Sequence, residues 1–291
     1  MNKHVIALIA LALATGAATT VSAQDIYGTP PDGSAQPDDT PFTDGEAVSV
    51  DNLAYSQRGI VLPSGTLRAD ASFSVMRPPN DMGTASPTGT FLSLGAAYGV
   101  MDNLEVGVSG YRQGSLSTGV TTGALPFQLT KDFNLAEIAP YARYRFFQSD
   151  GLQVAGELTT FLPTGSDSNF GVMFGAPVRL MLAQMIAIDT GVFMQTTFAD
   201  STINDLVVPL SLVVNVMPEL FLLARTQFIY SDFDTTVVSA DLGGGYTIEG
   251  ADGEPMLDLM ATFGFPTLLR DSDASTDIWQ ANVTAAFRLG I

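Results

Sequence analysis

The chain has 291 residues, no cysteine and a single histidine. Only 14% of its residues are charged, yet 30 acids stand against 12 bases, for a formal net charge of −18. Soluble domains average roughly 25% charged residues, so this chain is poor in charge and strongly acidic where charge occurs. The lack of cysteine excludes a disulfide framework and thiolate metal sites. The acidic excess excludes the basic face that a nucleic-acid partner requires.

Residues 1–23 read MNKHVIALIALALATGAATTVSA. A basic start at Lys3, an apolar stretch over 5–13 and the small residues Val21, Ser22 and Ala23 predict a secretory signal peptide, with Gln24 opening the mature chain. His4 leaves with it. The expected mature chain is therefore histidine-free, with eleven bases against 30 acids. No later stretch approaches the ~20 apolar residues of a helical membrane span. The longest, 206–216, is interrupted by Pro209 and Asn215.

Residues 24–58 hold seven acids, one base (Arg58) and four prolines. So little apolar surface cannot offset the entropy of ordering, which predicts an acidic, proline-rich, flexible periplasmic arm, with the barrel following over 59–291. A folded plug is the competing reading of the same segment.

From Leu67 onward the hydrophobic period is 2. Leu67, Ala69, Ala71, Phe73 and Val75 alternate with Arg68, Asp70, Ser72 and Ser74, and similar alternation recurs over 92–100, 104–108, 140–147, 152–162, 172–182, 186–198, 206–216, 220–230, 237–248, 256–265 and 278–291. These are twelve strands, most of them longer than the usual 5–6 residues of globular strands and long enough to cross a bilayer at a tilt. Connections after even-numbered strands are short (101–103, 148–151, 183–185, 217–219 and 249–254). Those after odd-numbered strands include the long segments 77–89, 113–137 and 266–275. An even strand number with short turns at one end and long loops at the other predicts an all-β, 12-stranded antiparallel transmembrane β-barrel of the outer membrane, with both termini periplasmic.

Charge phase separates a barrel from a soluble sandwich. One face of every strand carries no charge. The other carries Arg68, Asp70, Glu105, Arg143, Arg145, Glu157, Arg179, Asp189, Arg225, Asp241, Asp258 and Arg288, six bases and six acids. In a barrel the apolar face meets lipid and the polar face lines the lumen, so these twelve are the expected pore-lining residues. Tyr98, Tyr144, Phe146 and Tyr246 fall on the lipid face near the short turns, and Phe228, Tyr230, Phe265 and Trp279 near the long loops, as two interfacial belts require.

The last strand alternates Val283, Ala285, Phe287, Leu289 and Ile291 to the carboxyl end. It resembles the terminal signature read by the barrel-assembly machinery, although that signature usually ends in Phe or Trp. The stretches YGVMDNLEVGV (98–108), PYARYRF (140–146) and FLPTG (161–165) resemble the outer-membrane barrels of the meta-pathway of phenol degradation, over roughly residues 60–180. That resemblance implies a channel for small, often apolar or aromatic compounds.

A histidine-free mature chain excludes a Ser-His-Asp triad, and no carboxylate spacing matches a calcium loop. No enzyme and no cofactor or metal is expected. Gly243-Gly244-Gly245 sits inside a strand without the Lys or helix of a phosphate loop, and reads as relief of crowding in the lumen or as close approach of another backbone. The expected function is passive passage of small solutes, with 113–137 as a constriction or gate. The alternative is a non-transporting scaffold or adhesin acting through its arm or loops. Expected partners are outer-membrane lipid and lipopolysaccharide, the assembly machinery and the solute, with no nucleic acid. Two hairpin registers follow: centring on Gln184 pairs Met181 with Ala187 and Arg179 with Asp189, and centring on Asp150 pairs Phe147 with Gln153 and Arg143 with Glu157.

Overall fold

The structure is a computed structural model. It describes residues 54–77, 89–109, 125–128, 134–135, 137–163, 169–198, 202–251, 253–271, 273–274 and 276–290. The expected signal peptide and residues 24–53 of the expected arm lie outside the described residues.

Twelve long strands form the wall: β1 Thr66–Arg77, β2 Gly89–Met101, β3 Leu104–Ser109, β4 Glu137–Gln148, β5 Leu152–Pro163, β6 Phe170–Ala183, β7 Ile186–Phe198, β8 Thr202–Asn215, β9 Leu220–Ser231, β10 Thr235–Glu249, β11 Pro255–Arg270 and β12 Trp279–Gly290. Each pairs antiparallel with its sequence neighbours, and β1 pairs with β12 from Thr66↔Gly290 to Arg77↔Trp279, closing the sheet. Closure is what removes the unpaired strand edges that hydrocarbon cannot solvate. A 12-residue strand is about 40 Å long at ~3.3 Å per residue; tilted about 40°, it rises about 30 Å and covers the ~25 Å apolar band of such barrels.

Burial alternates along the strands with the period read from the sequence. On β5, Gln153, Ala155, Glu157, Thr159 and Phe161 are buried, while Leu158 and Leu162 are exposed. Exposed Phe73, Leu94, Tyr98, Tyr144, Phe146, Leu158, Phe174, Val192, Leu222, Leu242, Tyr246, Phe263, Val283 and Phe287 give the outer surface an apolar coat. A water-facing barrel could not carry that coat without aggregating.

Three departures from the expected layout have local causes. β11 runs to Arg270, because Val237 and Val238 of β10 pair with Arg270 and Leu269 beyond a bulge; much of the expected loop 266–275 is therefore wall. Within the expected gate 113–137, the short strand Leu125–Gln128 pairs with Phe91–Leu94 of β2, beyond the end of the six-residue β3. Those four residues extend the wall, and most of the rest of 113–137 lies outside the described residues. Finally, a bulge between Arg145 and Phe147 pairs Phe147 with Val154 and Gln148 with Gln153, so the expected Phe147–Gln153 pair does not form. Below the bulge the register holds at Arg143↔Glu157, as it does at Arg179↔Asp189 and Met181↔Ala187.

The largest correction concerns residues 54–58. Expected as the end of a flexible arm, they are packed with the following residues in the barrel interior. Ala54, Tyr55, Ser56, Arg58, Ile60, Val61 and Leu62 are all buried. Residues 55–57 make a single 3₁₀ turn. The chain then reaches β1 through a tight turn in which Thr66 N donates to Pro63 O (3.1 Å) and Gly65 N to Gly99 O (2.8 Å). A Cβ at Gly99 would lie 1.9 Å from Pro63 O, so only glycine lets the segment pass this close to β2.

Candidate functional site

The segment is seated at the short-turn end of the barrel. Gln57 Nε2 donates to Gln184 O in the β6–β7 turn (2.6 Å), and Ser56 N donates to Asn215 Oδ1 at the end of β8 (2.9 Å). Tyr55 stacks on Phe221 with ring centroids 4.2 Å apart. These two rings form an apolar cluster with Ala187, Val213, Leu223 and Met260. The Phe221 ring lies against Gly245, where a Cβ would meet Phe221 Cζ at 2.4 Å. Gly245 thus relieves crowding in the interior, while at Gly243 and Gly244 a Cβ would first meet the backbone of the neighbouring strands, at Ala261 O and Phe221 O, so the run serves both of the roles its sequence suggested.

Around this segment the wall presents its charges in pairs. Arg143 Nε donates to Glu157 Oε2 (2.7 Å); Arg179 Nε and Nη2 donate to Asp189 Oδ1 and Oδ2 (2.6 and 2.7 Å). Arg68 Nε lies 3.0 Å from Asp70 Oδ1, and Arg288 Nη1 lies 2.6 Å from Asp258 Oδ2. Arg143, Arg179, Glu105 and Asp189 are each no more than 2% exposed. Isolated, each would cost several kcal/mol to desolvate, and pairing with full hydrogen bonding is what makes such burial tolerable. Register supplies the pairing at Arg143↔Glu157 and Arg179↔Asp189, because opposed residues of an antiparallel pair bring their Cβ atoms within ~5 Å. Arg68 and Asp70 are neighbours along β1, and Arg288 reaches Asp258 diagonally from beside Ala286.

Of the twelve expected lumen residues, eight are buried in this girdle (Arg68, Asp70, Glu105, Arg143, Glu157, Arg179, Asp189 and Asp258), and Arg288 is nearly so. Arg225 and Asp241 pair at 2.7 Å and stay partly exposed. Arg145 stands apart. Beside the bulge it reaches the rim and donates from Nη2 to the carbonyl of Asp102 in the β2–β3 turn (2.7 Å).

The wall charges also hold the inserted segment. Arg58 Nη1 donates to both carboxylate oxygens of Asp258 (2.9 and 2.8 Å), and its Nη2 to Thr247 Oγ1 (2.9 Å). Arg179 Nη1 donates to Arg58 O (2.6 Å) and Arg143 Nη1 to Ile60 O (2.9 Å). Ile60 N donates to Gln153 Oε1, and Leu62 N to Glu105 Oε2, both at 2.9 Å. Glu105 accepts a further bond from Tyr141 Oη (2.6 Å). Beside the segment a cavity of about 40 Å³ remains, bordered by Arg68, Glu105, Arg179, Pro255 and Arg288, little more than the space one water occupies.

Farther toward the long loops the interior is apolar on one side. Ala139, Phe161, Met173, Phe193 and Val207 are buried together, with Ile229 packed against them. Asp205, on β8, is also buried, and its Oδ1 finds no hydrogen-bond partner among the described residues.

Sequence reading missed Arg58, the uncharged wall partners Gln153, Asn215, Thr247 and Tyr141, and Asp205. The signal for the segment was present: a lone arginine followed by the apolar run Ile60-Val61-Leu62, immediately before the first strand. Asp205 lay one residue outside the expected strand.

A closed twelve-stranded wall with an apolar exterior and a charge-paired interior defines a transmembrane β-barrel of the outer-membrane type. Comparison with solved structures agrees on the fold. An outer-membrane channel from Pseudomonas putida F1 superposes with a TM-score of 0.51 at 11% identity, over 79% of this chain and 97% of that one. The KdgM porin, solved in complex with disordered oligogalacturonate, gives 0.50 at 5% identity, over 76% and 98%. The NanC porin gives 0.50 at 8% identity, over 77% and 100%. No protein-family model matches the sequence, and no curated protein matches it.

Proposed function

We propose that this protein is an outer-membrane channel for passive passage of small solutes, closed at its short-turn end by residues 54–63. The observation that carries this reading is the interior itself. A barrel needed only as a wall could be filled with apolar side chains, whereas this one places Arg–carboxylate pairs, Gln153, Gln195, Gln227, Asn215 and a set of Ser and Thr residues inward. Those groups give a solute polar contacts once the segment moves. The twelve charges expected from the sequence, Arg145 at the rim included, line the path in this reading. The apolar group around Phe161 and Phe193 suits solutes with an apolar or aromatic part, in keeping with the resemblance to the phenol-pathway barrels. In this reading the expected signal peptide exports the chain, and the even number of strands keeps both termini, with the short turns, on the periplasmic side.

The filled short-turn end favours a second reading, a non-transporting envelope barrel that acts through its loops or its remaining arm. Planar-bilayer recordings of the purified chain separate the two. Discrete conductance steps in the intact protein, larger when residues 24–62 are deleted, support the channel. A silent barrel in both forms supports the scaffold.

A further inference from the structure

We infer that the interior wall is a binding site for a short arginine-bearing peptide, and that residues 58–62 occupy it as a tethered stand-in. This rests on the channel reading and names the solute class that the same site would take.

Two observations converge. The first is charge. The girdle around the segment contains the carboxylates of Asp70, Glu105, Glu157, Asp189 and Asp258 but, from the wall, only the guanidinium groups of Arg68, Arg143, Arg179 and Arg288. Arg58 supplies the fifth cation, and its Nη1 bridges both oxygens of Asp258. Thr247 fixes that geometry: it accepts from Arg58 Nη2 and donates to Asp258 Oδ1 (2.8 Å). When the segment leaves, the wall keeps an unbalanced negative charge in a confined space, where an orphaned charge is costly. A cation with guanidinium geometry restores the balance, because its planar set of N–H donors reaches Asp258 through Nη1 and Thr247 through Nη2 at once, which the compact ammonium of a lysine does not reproduce.

The second is the way the wall grips main chain. Arg179 reaches Arg58 O, Arg143 reaches Ile60 O, Gln153 accepts from Ile60 N and Glu105 accepts from Leu62 N. These are alternate residues, 58, 60 and 62, bonded through N–H and C=O. Recognition of that kind takes affinity from the backbone and specificity from side-chain pockets at alternate positions. Among residues 58–62 the one side chain held by polar contacts is that of Arg58. Any short peptide offers the same backbone, but only one with an arginine at that place completes the girdle.

The chain has no cysteine, so Ser56→Cys introduces a single thiol at a fully buried position of the segment. Its labelling by a membrane-impermeant maleimide reports release of the segment. Millimolar acetyl-Arg-Gly-Ile-amide is expected to raise the labelling rate about tenfold, and the same peptide with citrulline in place of arginine to leave it unchanged. Equal effects of the two peptides, or no effect of either, would overturn the inference. In a second arm, calorimetry on Arg58→Ala should show the arginine peptide binding at least tenfold tighter than to the unaltered protein, with that gain lost in Arg58→Ala, Asp258→Asn. If Arg58→Ala does not refold alone, refolding it with each peptide serves instead. Recovery of the compact band with arginine but not citrulline supports the site; no recovery, while the charge-neutral double variant refolds, refutes it. Neither arm reads conductance. A silent barrel that binds the peptide would refute the channel and keep the site, and a conducting barrel indifferent to the peptide would refute the site alone.

Discussion

Arg179 on β6 and Asp189 on β7 face each other across a two-residue turn, joined by two hydrogen bonds of 2.6 and 2.7 Å, while the third donor of the same guanidinium reaches Arg58 O. One arginine thus closes a wall pair and clamps the inserted segment. Asp189→Ala leaves the guanidinium buried without its carboxylate, and breaking a buried pair from one side costs about 3–5 kcal/mol. The double change Arg179→Ala, Asp189→Ala removes both charges and should cost less, although it also releases Arg58 O. Midpoints of heat-induced loss of the compact gel band, compared between Asp189→Ala and the double variant, check this ordering.

Deletion should divide the segment before β1 into two functional parts. Removing residues 24–53 leaves intact every contact described for residues 54–63, so the barrel should keep its thermal midpoint and its conductance. Extending the deletion through Leu62 strips Glu105, Gln153, Asn215 and Asp258 of their partners in the segment. The expected result is a folded barrel with a lower midpoint and a larger conductance, since closure of the wall depends only on the strands.

An open pore should be only weakly cation-selective in spite of the chain's net charge of −18. Apart from the one carboxylate of the girdle left unbalanced when Arg58 withdraws, the interior charges are largely paired, so most of the excess acids act from loops and arm within about a Debye length, ~10 Å at 0.1 M salt and ~3 Å at 1 M. Reversal potentials across a salt gradient should show modest cation preference at low salt, fading toward unity at molar salt. Strong anion selectivity would mean that the interior charges are assigned to the wrong face.

Alkaline pH should loosen the segment through Tyr55. Burial, chiefly, pushes its phenol from 10.0 up to about 12, with Asp258 adding to the rise and Arg179 and Arg58 opposing it. A raised pKa in the folded state means that the neutral ring is favoured there. Its contribution is complete below the unfolded value and is lost as pH climbs from about 10 through about 12. Tyr55→Phe keeps the stack on Phe221 and removes this titration. Over that range the thermal midpoint of the unaltered protein should therefore fall more steeply than that of the variant.

The strands were legible in the sequence because alternation is a local property. Leu67 to Val75, or Leu152 to Leu162, shows its two faces without reference to any other segment, and twelve such runs with uncharged outer faces leave few architectures besides a barrel. Hairpin registers followed where a tight turn fixed the centre, as at Gln184, and slipped where a bulge at Phe146 added a residue, since a bulge has no strong local signature. The place of residues 54–62 was decided only by tertiary structure. Taken alone, one arginine and three apolar residues after an acidic, proline-rich stretch bury too little to order themselves. Inside the closed barrel they meet Asp258, Arg179, Arg143, Gln153 and Glu105, which come from five different strands. Those partners lie between 43 and 200 residues away in sequence, and closure of the wall is what brings them together around Arg58.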